Sequence, residues 1–474
     1  VKCCRFYFFS FWVVLRDAKS VARFYGFGLE ERMIFKNHLV AFLKRQCCFC
    51  GAGVFIAAIV LTGIATAQAG SSQPDVRITL DQAEQMALAH NRNLRADLML
   101  ISESKANEIT AGLRPNPVFD TDAQFIPFFS PSNLNSDYMD NSAQFDAGLS
   151  YKFELYGKRK ARMRSARAAT VVTSSLINND ERQLRYQVAT QFINVLYAES
   201  KLRFAEQDLS TFDKSLSISQ KQYQAGSISH GNLLKLQLQR LLFQTDVTSA
   251  QVAVVQAKDN LRELVGFDSV PQNYDVIGKL EAPQPKRGLM DLEADALKSR
   301  PDLQAARQLI LQARSQYHLA KTYAHPDLGT TVDYTHLAGN NDLSAFATIG
   351  IPIFNRNQGN IAVASAQITQ AQEQERAAEQ LVLTQVRSAY ARQQSALQVV
   401  NLYESGYLKE AQQSLSISQY AYLRGDTSLL NFLDAERSYR TVELNYRRAL
   451  ATAMLSEQRL EESIGMSVPS GKVH

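Results

Sequence analysis

The sequence predicts an α + membrane β-barrel fold: a duplicated α-β-β-α-α repeat whose strands build a barrel continuous with a long α-helical coiled-coil tunnel. Three observations carry that reading. One block of the chain recurs at a fixed offset, two stretches of more than sixty residues read as helix, and four short segments alternate apolar and polar residues.

The duplication organises the rest. Ser215-Leu-Ser-Ile-Ser-Gln220 recurs as Ser414-Leu-Ser-Ile-Ser-Gln419, an offset of 199. The offset holds through Tyr223/Tyr422, Gly226/Gly425, Ser229/Ser428, Asn232/Asn431, Leu261/Leu460 and Gly266/Gly465. The first repeat is assigned to residues 70–266, a linker to 267–290, the second repeat to 291–466 and a tail to 467–474.

Each repeat opens on a helical segment, residues 80–113 and 291–323. Pro115 and Pro117 end the first and Pro326 the second, because proline lacks an N–H and disfavours helix in the residue before it. Strands are expected at 118–129, 143–154, 328–337 and 345–353. In 143–154 the odd positions are Ala143, Phe145, Ala147, Leu149, Tyr151 and Phe153, while the even ones are polar or glycine. Such alternation means one apolar and one polar face. Strands of about 9–11 residues cross a bilayer when tilted. Four strands cannot close alone; three copies of the chain would supply twelve and remove the open edges.

The strands lead into helical hairpins at 158–265 and 358–464. From about Lys158 to Gln224 there is neither proline nor glycine, which makes roughly 100 Å of helix. Val188, Val195, Leu202, Leu209, Leu216 and Tyr223 recur every seven residues, with Ala198, Ala205 and Phe212 beside them, the mark of coiled-coil packing. The second hairpin reads similarly, with Gly406 interrupting its interior. Gly226 and Gly425 break the long helices, and Ser229 and Ser428 are the expected N-caps of the returning ones.

Charge is unevenly placed. Residues 1–69 hold nine Lys/Arg and three acids, a balance of +6, so the +5 of the whole chain leaves −1 for residues 70–474. A segment without basic excess has nothing to hold a phosphate backbone, so nucleic acid is not an expected partner. Residues 33–69 read as a secretory signal: Lys36, His38, Lys44 and Arg45 precede an apolar run, Val54–Ile64, and Ala65-Thr-Ala67 or Ala67-Gln-Ala69 suits cleavage. Residues 1–32 are expected to be an upstream extension ahead of Met33. All five cysteines (3, 4, 47, 48 and 50) lie before those sites, so no disulfide, thiolate metal site or lipid anchor is expected after cleavage.

Over essentially its whole length beyond the leader, the chain resembles the TolC family of outer-membrane efflux proteins. The carrying residues are Leu80-Asp-Gln-Ala83 with Ala87-Leu-Ala-His-Asn91, Gly112-Leu-Arg-Pro-Asn-Pro117, Leu155-Tyr-Gly-Lys-Arg159, Tyr223-Gln-Ala-Gly226, and Tyr422-Leu-Arg-Gly425 running on to Leu433-Asp-Ala435. The pairing of residues 112–117 with 156–159 looks more like the heavy-metal, CzcC-like branch. The resemblance implies a homotrimer with a twelve-stranded barrel in the outer membrane and a helical tunnel crossing the periplasm. Its partners would be a periplasmic adaptor (membrane fusion) protein and an inner-membrane RND-type pump. The hairpin tips at Gly226 and Gly425 would form the entrance. There Asp434 matches an acid of the family's ring and Asn431 stands where a second acid would be. Tyr422 matches a gate tyrosine whose partner position is Asn232, and Thr427 replaces a gate arginine. Each residue also has a structural reading: Tyr422 occupies a heptad position and suits a core, and Asp434 suits a solvated helix face.

No phosphate-binding glycine loop, Gly-x-Ser-x-Gly or paired histidines appear, so neither an enzyme nor a cofactor or metal site is expected. The alternative from another class is a periplasmic coiled-coil scaffold or adaptor. That would explain the helices and leave the alternating strands without a purpose.

Overall fold

The structure is a computed structural model that describes residues 76–284 and 287–465. The leader and tail assignments at 1–69 and 467–474 lie outside the described residues. Strand β1 (Val76–Ile78) leads into α1 (Leu80–His90) and α2 (Arg92–Gly112). Thr79 and Gln82 form a reciprocal capping box at the start of α1. The single segment expected at 80–113 is in fact two helices. Asn91 is extended, caps α2 by accepting from Leu94 N–H at 3.0 Å, and donates to the Leu264 carbonyl at 2.9 Å. The second repeat breaks the same way, α6 (Leu289–Ser299) and α7 (Pro301–Thr322) meeting at Arg300, with Pro301 opening α7.

The sheet order is β2 (Val118–Gln124), β3 (Gln144–Phe153), β5 (Leu328–Leu337), β6 (Asn340–Ile349), every pair antiparallel. Two expected strands shift. β2 stops at Gln124, short of 129, because Phe125 takes a φ of +58° and Pro127 follows. β6 runs 340–349 where 345–353 was expected. The two-residue turn Ala338-Gly339, both with positive φ, fixes Leu337 opposite Asn340 and so the whole register down to Leu328 opposite Ile349. Ile351 and Ile353 flank Pro352 beyond the strand. Between β2 and β3 lies a longer connection carrying a 3₁₀ turn (Pro131–Asn133) and helix α3 (Ser136–Asn141).

Residues 267–290 hold more than a linker. Strand β4 (Tyr274–Val276) lies within them and pairs in parallel with β1, joining the start of one repeat to the end of its hairpin.

The hairpins are α4 (Lys158–Gln224) with α5 (His230–Val265), and α8 (Gln358–Leu402) running through a π turn (Tyr403–Tyr407) into α9 (Leu408–Arg424), then α10 (Leu429–Ile464). In the tip half the packing order is α5, α4, α10, then α8–α9; in the strand half it is α2, α4, α7, α8. The core is a string of apolar clusters along this slab. One surrounds Val188, Phe192 and Leu261, another surrounds Val382, Val386 and Leu303, and a third near the tips holds Phe212, Leu236, Phe243 and Phe432. Helices packed in a single row bury apolar residues locally along its length.

The π turn has a numerical origin. Val386, Gln393 and Val400 are buried seven apart, and Leu415 and Tyr422 pack seven apart, but Val400 and Leu415 are separated by one residue more than two heptads. One wide turn, with Gly406 at φ 147°, takes up the extra residue and keeps both stretches facing the core.

Candidate functional site

The two tips are built alike from local sequence. Gly226 (φ 76°) and Gly425 (φ 84°) end the outgoing helices in left-handed conformation. The N–H of the next residue, Ser227 or Asp426, reaches back to the carbonyl of Gln222 or Ala421, closing a Schellman turn at 2.8 and 2.9 Å. Ser229 and Ser428 then cap the returning helices, each accepting at 3.2 Å from the N–H of Asn232 or Asn431.

The structure places Tyr422 in the core of the tip, 5% exposed, stacked on Phe432 at 5.2 Å with its hydroxyl buried and unbonded. It does not bring Tyr422 to Asn232, which is half-buried at the start of α5. Asn431 donates to the Thr427 hydroxyl at 3.0 Å, so these two residues close on each other. Asp434 is exposed on α10, one turn from Asn431. Cross-hairpin bonds at this level are polar: Gln222 to the Leu423 carbonyl at 2.8 Å and Gln419 to Ser215 at 2.7 Å.

One cluster in this half escaped sequence reading. Arg440 on α10 reaches Asp208 on α4 and Asp246 on α5, each at 2.6 Å, while its guanidinium lies 4.2 Å from the Phe243 ring centre. Glu436 is buried one turn away. Burial pushes the Asp208 carboxyl up to about 6 against the pull of Arg440. Burial, then the neighbouring Asp208, push Glu436 up to about 8. The signal was there: Glu436 and Arg440 continue the helical stripe of Leu429 and Phe432, charges where apolar residues belong.

At the strand end, the register puts Phe119, Phe145, Leu149, Val332, Leu343 and Ile349 on one exposed apolar face. The other face carries Asp120, Asp122, Asp146, Asp333 and Asp342, with Lys152 as its only base. Gly148 makes room there: a methyl group at its position would collide with the carboxylates of Asp120 and Asp333. Edge strands β2 and β6 each have one unpaired side.

Lys158, Arg159 and Arg162 clamp the strand–helix junction. Lys158 is buried against Asp327 at 2.7 Å, and Arg159 and Arg162 donate to the carbonyls of Gly112 and Leu113. Gly157 (φ 72°) and Tyr156 (φ 55°), the latter stacked on His325, make the turn. The motifs at 112–117 and 155–159 are thus two sides of one joint.

A sheet that is apolar on one side, carboxylate-lined on the other and open at both edges is a segment of a water-filled membrane barrel, and here it stands at the head of two long hairpins. That combination defines a barrel-and-tunnel channel, and leaves the scaffold alternative without an account of the sheet. The chain belongs to the Outer membrane efflux protein family, which matches residues 83–267 and 292–466. It is similar to the cobalt-zinc-cadmium resistance protein CzcC of Cupriavidus metallidurans, 24% identical over 82% of this chain and 90% of that one. It is also similar to the cation efflux system protein CusC of Escherichia coli K12, 26% identical over 76% and 82%. The pyoverdine export outer membrane protein OpmQ of Pseudomonas putida is 24% identical over 81% and 85%. A crystal structure of CusC superposes with a TM-score of 0.69 at 22% identity over 86% of this chain and 96% of that one. The open-state Neisseria gonorrhoeae MtrE channel superposes at 0.64 and 18% identity, over 86% and 97%. The protein is therefore the outer-membrane channel component of an efflux system, a passive and non-catalytic conduit that extends into the periplasm.

Proposed function

We propose that three copies close their sheets into a twelve-stranded barrel and their hairpins into one tunnel, open to a periplasmic adaptor at the tips and through it to an inner-membrane RND-type pump. The observation that carries this reading is the four-stranded sheet with two unpaired edges and opposite faces of opposite character. Residues Gly226–Asn232 and Gly425–Asp434 form the entrance. Asp434 lines it, Asn431 and Thr427 brace the second tip, Tyr422 supports it from the core, and Asn232 occupies the matching place on the first tip. Cargo is metal cations, as in the CzcC-like branch. The joint between residues 112–117 and 156–159 and the five aspartates against one lysine on the lumen face support that choice.

Planar-bilayer recording of the purified protein, wild type against Asp434→Ala, tests the entrance: reduced cation preference is expected, and unchanged conductance and selectivity would leave Asp434 a surface charge. A deletion strain that stays resistant to cobalt, zinc, cadmium, copper and silver but gains drug sensitivity would move the cargo to another branch.

A further inference from the structure

A groove of about 760 Å³ runs between α8 and α10 and is reached by Tyr186 of α4. Its walls carry three guanidinium groups, Arg392 on α8 and Arg448 and Arg459 on α10. Arg392 and Arg448 are exposed, and among the described residues neither is paired with a carboxylate. Arg459 lies 5.3 Å from the Tyr186 ring centre and reaches Glu462 at 2.8 Å, but Glu462 also holds Arg182 at 2.5 Å. The groove therefore has a surplus of positive charge, and Ala396, Ala449 and Leu455 give it an apolar stretch between the arginines. Counted at 1.5 Å per residue from Arg424 and from Leu429, Arg392 and Arg459 stand about 48 and 45 Å above the tip, and Arg448 about 28 Å.

The groove opens on the face of these helices that nothing else covers. On the other face Leu397, Val400 and Leu450 pack under Leu280 and Ala282, and Val386 and Leu460 pack under Leu292 and Ala296 of α6. Four helices abreast per copy make twelve in the tunnel wall, and at about 10 Å apart they enclose a lumen about 28 Å across. Three copies of a second layer, each about 10 Å thick, would fill that lumen. The covering layer is therefore outside and the groove inside. Asp434, Thr441, Arg448 and Leu455 also share one heptad position of α10, so Arg448 lies on the face of the proposed entrance acid, about 21 Å deeper.

We propose that this groove is an organic-anion site in the tunnel wall, with Arg392 and Arg459 gripping one carboxylate and Arg448 a second. The proposal rests on the channel reading and deepens it. A guanidinium offers a carboxylate two parallel hydrogen bonds, and the apolar stretch between the two stations takes the carbon body of the anion. The conduit then carries two opposed electrostatic steps, an acid at the entrance and bases deeper in. A metal cation drawn in by Asp434 passes the second step beside anions already seated on the arginines.

Phthalate, an aromatic dicarboxylate, is the probe, and sulfate, of the same charge, is its control. In planar bilayers phthalate should reduce the conductance of the purified protein. Arg392→Gln and Arg448→Gln, both at exposed unpaired positions, should each raise the half-blocking concentration about tenfold. Both should also move the zero-current potential in a potassium chloride gradient toward cations. Arg387→Gln removes the same charge from the covered face, where Arg387 pairs with Glu293 at 2.5 Å, and should leave the block unchanged. Calorimetric titration of the detergent-solubilised protein with phthalate reads the same site without ion flow. Neither block nor binding by phthalate, or both equal in wild type and the two variants, overturns the site and leaves the channel reading standing. Sulfate acting as strongly as phthalate overturns the organic-anion assignment, and an equal effect of Arg387→Gln overturns the lumenal placement. A wild type that binds phthalate but conducts nothing overturns the channel reading itself.

Discussion

The two repeats of this chain agree at their ends and disagree in their shafts. Both tips close on a left-handed glycine followed by a serine cap, and both strand pairs enter the same sheet. Between these ends, α4 runs 67 residues without a break, whereas the second shaft is 45 residues of helix, a π turn and 17 more. The ends are built alike, while the second shaft, spanning Gln358–Arg424 as α4 spans Lys158–Gln224, takes one wide turn in its interior where its heptad phase slips by a residue. The difference also gives the halves different mechanics. A helix with one weakened turn bends there more readily than one whose ladder is complete.

The largest test of the equivalence is at the strands. Phe145→Arg in the first repeat and Ile349→Arg in the second each place a charge on the apolar face, costing about 2–4 kcal/mol near the bilayer midplane. Both should abolish the detergent-extracted oligomer; survival of either would show that its strand does not face lipid. Next in size is Arg440→Leu, which leaves Asp208 and Asp246 without a counter-charge across the hairpins and should cost about 3 kcal/mol. Arg240→Leu, which breaks a more exposed and solvent-screened pair with Asp213 inside the first hairpin, should cost far less. Helix-signal melts of the two variants should therefore separate, and coincident melts would remove the cross-hairpin role of Arg440.

The same cluster gives a pH dependence. Glu436 and Asp208 are raised in the folded state, so the folded protein binds protons that the unfolded chain has already released. Their contribution is complete below about pH 4 and is lost as pH rises, through about 6 for Asp208 and about 8 for Glu436. Stability of the tip half should fall between those limits, and Glu436→Gln should flatten the upper part of the slope; an unchanged slope would place the titration elsewhere. The last test is at the tips. A Cβ at Gly226 or Gly425 meets no atom within 4 Å, so Gly226→Ala and Gly425→Ala are resisted only by the left-handed backbone, about 1–2 kcal/mol at each. Unequal thermal shifts would show that one tip is packed by something the other lacks.

Sequence periodicity made the strands and shafts legible because both repeat over many residues, and the tips because a glycine and a serine recur 199 positions later. What escaped was short or set by other parts of the chain. β1 and β4 are three residues each, too brief to show a period, and each exists because the other lies alongside. The break at Asn91 needed the Leu264 carbonyl across the fold, and the end of β2 depended on a single positive φ at Phe125. Of the residues proposed for the entrance, Tyr422 was legible as either gate or core, and only packing against Phe432 shows its core contacts. The Arg440 cluster joins three helices, so no local pattern could assemble it.

One asymmetry of the sheet reaches beyond the channel itself. At the end away from the helices, the second repeat turns in two residues, while the first spends residues 125–143 there and leaves Phe128 and Phe129 almost wholly bare. What an antibody, a phage or a protease meets on an intact cell is therefore supplied mainly by one half of the duplication. Residues 115–151 contain no lysine or arginine. Trypsin added to whole cells has no bond to cut in that loop, whereas chymotrypsin should nick it beside the bare phenylalanines.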